Sequence, residues 1–213
     1  MKRPCVAFLI LVAVMAARLH AATTVYENDF ERAVIGKVPE EFLVLHGDFT
    51  VKAEGTNYFL ELPGAPLDSF GLLLGPAQKE ESSMSAKIFG SSQGRRSPVF
   101  GVGLNGAKGY TLQVVPAKAA IELARDGSIR KSVPFEWKSG TWTHFYLQVR
   151  KTNSDTWHVS GKVWTEGSPE PSAPSIEWDD KEEPNNLRAS IWGSPFAGTP
   201  IRFDNLRVTS LAR

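Results

Sequence analysis

Apolar and polar side chains alternate along most of this chain in short runs. Phe49-Val51, Tyr58-Leu60-Leu62, Leu72-Leu74, Met84-Ala86-Ile88 and Phe100-Val102-Leu104 recur at a period of two, as do Tyr110-Leu112-Val114, Phe145-Leu147-Val149, Val159-Gly161-Val163 and Ile201-Phe203. That period is the mark of strands with one buried face. Turn formers separate the runs: His46-Gly47-Asp48, Glu54-Gly55-Thr56-Asn57, Asn105-Gly106, Asp126-Gly127, Ser139-Gly140 and Asn153-Ser154-Asp155. Past the N-terminal segment, no window of about 15 residues shows the i, i+3, i+4 recurrence of an amphipathic helix. The best helical candidate, Pro116 to Arg125, still sets Ile121 and Leu123 against Glu122 and Ala124 and runs into Asp126-Gly127, so it predicts a hairpin. The pattern predicts an all-β chain: a two-sheet antiparallel β-sandwich with jelly-roll connections. The Pro-rich stretch 167–174 reads as a loop inside one domain, and no linker or internal repeat is visible.

Parity also assigns faces. Between Thr141 and Lys151, Phe145, Leu147 and Val149 point one way, while Trp142, His144, Tyr146, Gln148 and Arg150 point the other. In the next run His158, Ser160, Lys162 and Trp164 oppose Val159 and Val163. Pairing the two gathers aromatic rings beside amides and charges, as a sugar site requires: the C–H face of a pyranose lies on a ring while polar side chains bond its hydroxyls. Tyr146 and Trp164 are the expected platforms. Gln148, Arg150, Lys162, His144 and the outward Gln113 are the expected bonding groups.

The N-terminal segment is of a different kind. Lys2 and Arg3 precede an apolar run from Cys5 to Ala17, with small residues at Ala21 and Ala22. This predicts a signal peptide over 1–21 and a single domain over 22–213, secreted or periplasmic. The run falls short of the ~20 apolar residues that span a bilayer, so no stable membrane insertion is expected once it is removed; a retained anchor is the alternative. Cys5 is the only cysteine. The processed domain would hold neither a disulfide nor a thiolate and would rely on core packing. With 24 Lys+Arg against 23 Asp+Glu, the charge is +1 and no basic field points to nucleic acid.

Several segments carry a family likeness: Asp29-Phe30-Glu31, Gly47-Asp48-Phe49-Thr50-Val51, Leu72-Leu73-Leu74-Gly75-Pro76, Phe135-Glu136-Trp137-Lys138 with Gly140-Thr141-Trp142, Gly161-Lys162-Val163-Trp164 leading to Gly167-Ser168-Pro169-Glu170-Pro171, and Phe203-Asp204-Asn205-Leu206. On these, residues 24–209 resemble the concanavalin A-like (laminin-G-like, glycoside-hydrolase-16-like) jelly-roll domains of secreted bacterial proteins. The resemblance implies the fold. Function stays open, because such folds host lectins, carbohydrate-binding modules, hydrolases, lyases and spacers.

The run Glu177-Trp178-Asp179-Asp180-Lys181-Glu182 matches the E-x-D-x-x-E of the hydrolase relatives, in which two carboxyls flank the scissile bond. Its charged surroundings and the following Pro184-Asn185-Asn186 read as a solvated loop, so Glu177 and Glu182 are weak catalytic candidates. The family's terminal strands typically pair, which would bring Asp29 and Glu31 towards Asp204; such oxygen ligands suit a structural Ca²⁺. His144 and His158 belong to no zinc pattern, and no phosphate loop, G-x-S-x-G or dinucleotide fingerprint occurs, so no other cofactor is expected. The reading preferred from the residues is a secreted, non-catalytic carbohydrate-binding (lectin-like) domain taking a polysaccharide or other glycan. The alternatives are a glycan-active hydrolase or lyase, and an interaction domain with a protein partner in an envelope complex.

Overall fold

The computed structural model describes residues 22–64, 68–78, 81–153, 155–196 and 198–211; the signal segment expected at 1–21 lies outside them. Two antiparallel sheets stack face to face. The first runs β13 (Ile176–Asp180), β12 (Thr156–Thr165), β11 (Thr141–Asn153), β6 (Ser82–Gly90), β15 (Ile201–Ser210), β4 (Asn57–Leu62), β3 (Thr50–Glu54), with β1 (Thr23–Asn28) also paired to β15. The second runs β10 (Ser128–Pro134), β9 (Ala120–Arg125), β8 (Tyr110–Val115), β7 (Val99–Leu104), β14 (Leu187–Ser194), β5 (Phe70–Gln78), β2 (Leu43–His46). The chain is thus an all-β sandwich of jelly-roll, concanavalin A-like topology. Among the described residues the helical structure is one 3-10 turn, Pro116–Lys118, leading into the β9–β10 hairpin, and no helix is long and apolar enough to cross a membrane.

The core is the inward parity set of both sheets. Phe145, Leu147 and Val149 of β11 are buried, as are Leu60, Met84, Ile88, Phe203 and Val208 around them. Leu72, Leu74, Phe100, Val102, Leu112, Val114 and Ile191 meet them from the second sheet. Phe100 stands edge-on to Phe145 at 5.9 Å between ring centroids, joining the layers. Each such side chain contributes about 1.5–3 kcal/mol by leaving water. Gly161 is required by the same packing: a Cβ there would meet Leu112 Cδ2 at 2.7 Å.

One expectation is corrected. Glu177 to Asp180 belong to an edge strand, and the solvated loop expected here begins only at Lys181. β13 pairs with β12 in the register Ile176↔Gly161 to Asp180↔Trp157. Ile176 and Trp178 turn to the core, and the buried Asp180 accepts from Tyr110 Oη at 2.8 Å and pairs with the buried Arg125. A charged strand can pack because its inward acid is met by an inward arginine.

Candidate ligand-binding face

The outer surface of the first sheet is built by register. Antiparallel pairing places Trp164 opposite His144, His144 opposite Lys87, and Lys87 opposite Asp204, in one row across β12, β11, β6 and β15. A second row runs Lys162, Tyr146, Ser85, Arg207, Glu27. A third runs Ser160, Gln148, Ser83, Thr209. On the other side of the first row come Trp142, Phe89, Arg202 and Glu61. Six of the seven residues expected to bind ligand, Tyr146, Trp164, Gln148, Arg150, Lys162 and His144, share this surface. The seventh does not. Gln113 faces outward from the other sheet, where it donates to Glu122 Oε2 at 2.8 Å beside Lys118.

The side chains are held by one another. The His144 ring stacks on Trp164, with centroids 4.8 Å apart and planes 11° from parallel. His144 Nε2 donates to Glu166, whose other oxygen lies 3.4 Å from Lys87 Nζ. Burial works to raise the Glu166 carboxyl, but the His144 hydrogen bond and the Lys87 charge bring it below the usual carboxylate range. Asp204 goes the other way: burial, aided by the nearby Glu31 charge, pushes it up to about 6 against the bonds from Asn205 N–H and Asn57. Gln148 Nε2 donates to Tyr146 Oη at 2.6 Å, and Lys162 Nζ to Glu170 at 2.7 Å. Arg150 is exposed at the margin, opposite His158, which donates to Asp179 at 2.7 Å.

Two depressions mark this surface. The larger, about 480 Å³, is lined by Ser83, Ser85, Tyr146, Arg207 and Thr209, with Trp164 at its side. The smaller, about 300 Å³, lies over Phe59 and Trp142, with Asn57, Arg202, Asp204 and Glu166 around it. Lys87 and Asn205 line both. A roomier hollow of about 720 Å³ beside residues 27–41 has no aromatic ring in its lining, and its Asn28 and Glu41 bond each other at 3.1 Å. It lacks the platform that sugar binding needs.

The two weak catalytic candidates are apart, whereas Glu31 of the expected metal set lies near enough to Asp204 for its charge to act on that carboxyl. Glu177 projects from β13, 3.6 Å from His158, whereas Glu182 lies past the strand end, 3.4 Å from Arg125. The two do not face each other across a cleft. Asp29 caps the turn through Glu31 N–H at 3.2 Å, and Glu31 accepts from Tyr58 N–H at 3.2 Å. Among the described residues, no three His, Cys, Asp or Glu side chains converge to hold a metal ion. Trp142 packs on the outer surface against Phe89 and Phe59, with centroids 5.6 and 6.4 Å away. Glu166, Asn57, Asn205, Arg207 and Thr209 join the site without having been singled out for ligand binding. The outward parity of Ser85 and Lys87 is readable from sequence, but the register that sets β6 between β11 and β15 is not.

No family model matches this chain, and no curated protein matches it. Solved structures do. A carbohydrate-binding module (CBM66) from Bacillus subtilis is 12% identical over 80% of this chain and 96% of its own, with TM-score 0.52. The PL-14 alginate lyase from Aplysia kurodai is 13% identical over 87% and 98%, TM-score 0.55. The catalytic domain of a glycoside hydrolase family 131 protein from Coprinopsis cinerea is 10% identical over 87% and 94%, TM-score 0.53. At such identities the likeness is one of fold, shared by binding modules and enzymes alike.

Proposed function

We propose that this chain is a secreted, non-catalytic carbohydrate-binding domain that takes a glycan on the outer face of its first sheet. The observation that supports this best is the register-built rows, which set Tyr146, Trp164 and Trp142 beside Lys87, Arg207 and serine and threonine hydroxyls around two open depressions, with Gln148 bonded to Tyr146 in the adjoining row. Rings supply stacking surface and the polar groups fix hydroxyl geometry. The mutual pairing of Lys162 with Glu170 and of His144 with Glu166 keeps the donors oriented before a ligand arrives. Export, with residues 1–21 removed, belongs to the same reading.

Glycan cleavage is a second reading with one observation in its favour. Asp204 is pushed up to about 6 and Glu166 is held low, and both line the smaller depression. Carboxyls driven apart in this way suit a proton donor and acceptor. A glycan array followed by assay of reducing ends on the bound sugars tests both readings. Binding without release of new ends, weakened tenfold or more by Tyr146→Ala, Trp164→Ala or Gln148→Ala, is the expected result; a stacked ring is worth about 1–3 kcal/mol. Turnover that is lost in Glu166→Gln would establish the enzyme instead. Unchanged affinity in all three alanine variants, with folding intact, removes the site from this face.

A further inference from the structure

The division of the face into two depressions rests on a single irregularity in β15. Asp204 opposes Lys87 and Arg207 opposes Ser85, so Asn205 and Leu206 together stand against Ala86. This is a β-bulge. Leu206 keeps its place in the core, while Asn205 is thrown outward in the left-handed region at φ 50° and is exposed. The extra residue raises a polar ridge with Lys87 across the surface, and these two side chains are the ones common to both linings.

The depressions differ in chemistry. Hydroxyl groups of Ser83, Ser85, Tyr146 and Thr209, with Arg207, line the larger one. In the smaller, Trp142 supplies the aromatic surface and Arg202 covers the buried Phe59, with the Asn57 amide and the Asp204 and Glu166 carboxyls around them. At about 480 and about 300 Å³, each reaches the lower end of the ~300–1,000 Å³ range of small-molecule sites. One sugar ring in either leaves the other unused.

Resting on the carbohydrate reading above, we propose that this face recognises a glycan as a chain of at least two linked units, one in each depression, with the linkage over the Asn205–Lys87 ridge. The amide of Asn205 both donates and accepts, so it can bond hydroxyls of both units at once. Two seats joined by a covalent linkage reinforce each other, because the second unit binds as part of an already anchored molecule.

The test is calorimetric titration with cello-, xylo-, manno- and laminari-oligosaccharides of one to six units. The expected result, for any series that binds, is a rise of tenfold or more between one unit and two or three, then a plateau. Asn205→Gly is the diagnostic variant, since glycine adopts the left-handed conformation without strain and the fold, checked by thermal melting, is retained. It is expected to weaken chains of two or more units by a clearly larger factor than single sugars, so that most of that rise is lost. Lys87→Gln is expected to act in the same direction. A flat length series on a sugar that binds overturns the two-seat proposal and leaves the carbohydrate reading standing, and so does an Asn205→Gly variant that weakens single sugars and chains alike. Failure of every sugar here and on the glycan array overturns both.

Discussion

Asp204 illustrates how one residue can serve two demands. Its carboxyl is buried beside Lys87, receives the Asn205 N–H at 2.6 Å, and is pushed up to about 6 mainly by that burial. The sign of the effect follows from linkage. An acid whose folded-state value is raised binds protons more tightly in the native state, so stability falls as pH rises from about 4 through about 6. The span corresponds to at most about 3 kcal/mol lost at neutral pH, at 1.36 kcal/mol per pKa unit. Asp204→Asn keeps an acceptor for the Asn205 N–H and removes the titration. Urea unfolding at pH 4.5 and 7.5 should show wild-type stability declining relative to the variant by 1 kcal/mol or more; parallel behaviour of the two proteins would contradict the burial argument. No sequence pattern signals this shift. Asp204 in isolation reads as a turn acid, and its burial comes from β4 and β6, more than a hundred residues earlier in the chain.

At the scale of elements, parity was legible wherever a strand's inward residues are apolar. β11 and β12 have this property, which is why their shared outer surface, from Trp142 to Arg150 and from His158 to Trp164, could be read before any register was known. β13 lacks it. Its inward Asp180 breaks the alternation of hydrophobicity, and the residue that satisfies it, Arg125, lies on β9. β15 has apolar inward residues but misleads for another reason: past Asp204 the bulge shifts parity, so Arg207 and Thr209, not Leu206 and Val208, face outward. The β13 pairing makes a firm prediction. Arg125 also donates to the carbonyls of Glu182 and Glu183 at 3.0 and 3.2 Å, pinning the segment after the strand. Arg125→Ala leaves a buried carboxylate uncompensated and should cost about 3–5 kcal/mol, with β13 amides losing hydrogen-exchange protection first. The paired change Arg125→Leu with Asp180→Leu should recover part of that loss; if it recovers none, the ion pair is not what holds the edge.

For the molecule as a whole, runs of consecutive strands, β11 to β13 and β7 to β10, are joined by strands drawn from distant parts of the sequence. β15 sits between β6 and the pair β4 and β1, so the last strand of the chain completes the middle of a sheet begun by the first. Topologies dominated by such distant pairings fold slowly, over milliseconds to seconds, because loop closure precedes the contacts that reward it. Ending the chain at Pro200 removes Phe203, Leu206 and Val208 from the core and exposes the edges of three strands. The truncated protein should show no cooperative melt and should aggregate. A sharp thermal transition in that fragment would mean the sandwich closes without its central strand.

Because the same strands wall the core on one side and carry the proposed site on the other, alternate letters of the sequence meet different physical demands. Ser85, Tyr146, Gln148 and Thr209 stand on the site side, while Met84, Phe145, Leu147 and Val208 hold the scaffold constant. A library randomised at the first four positions would sample new specificities on an unaltered frame. The same arrangement lets a lineage drift far in identity and still keep its shape.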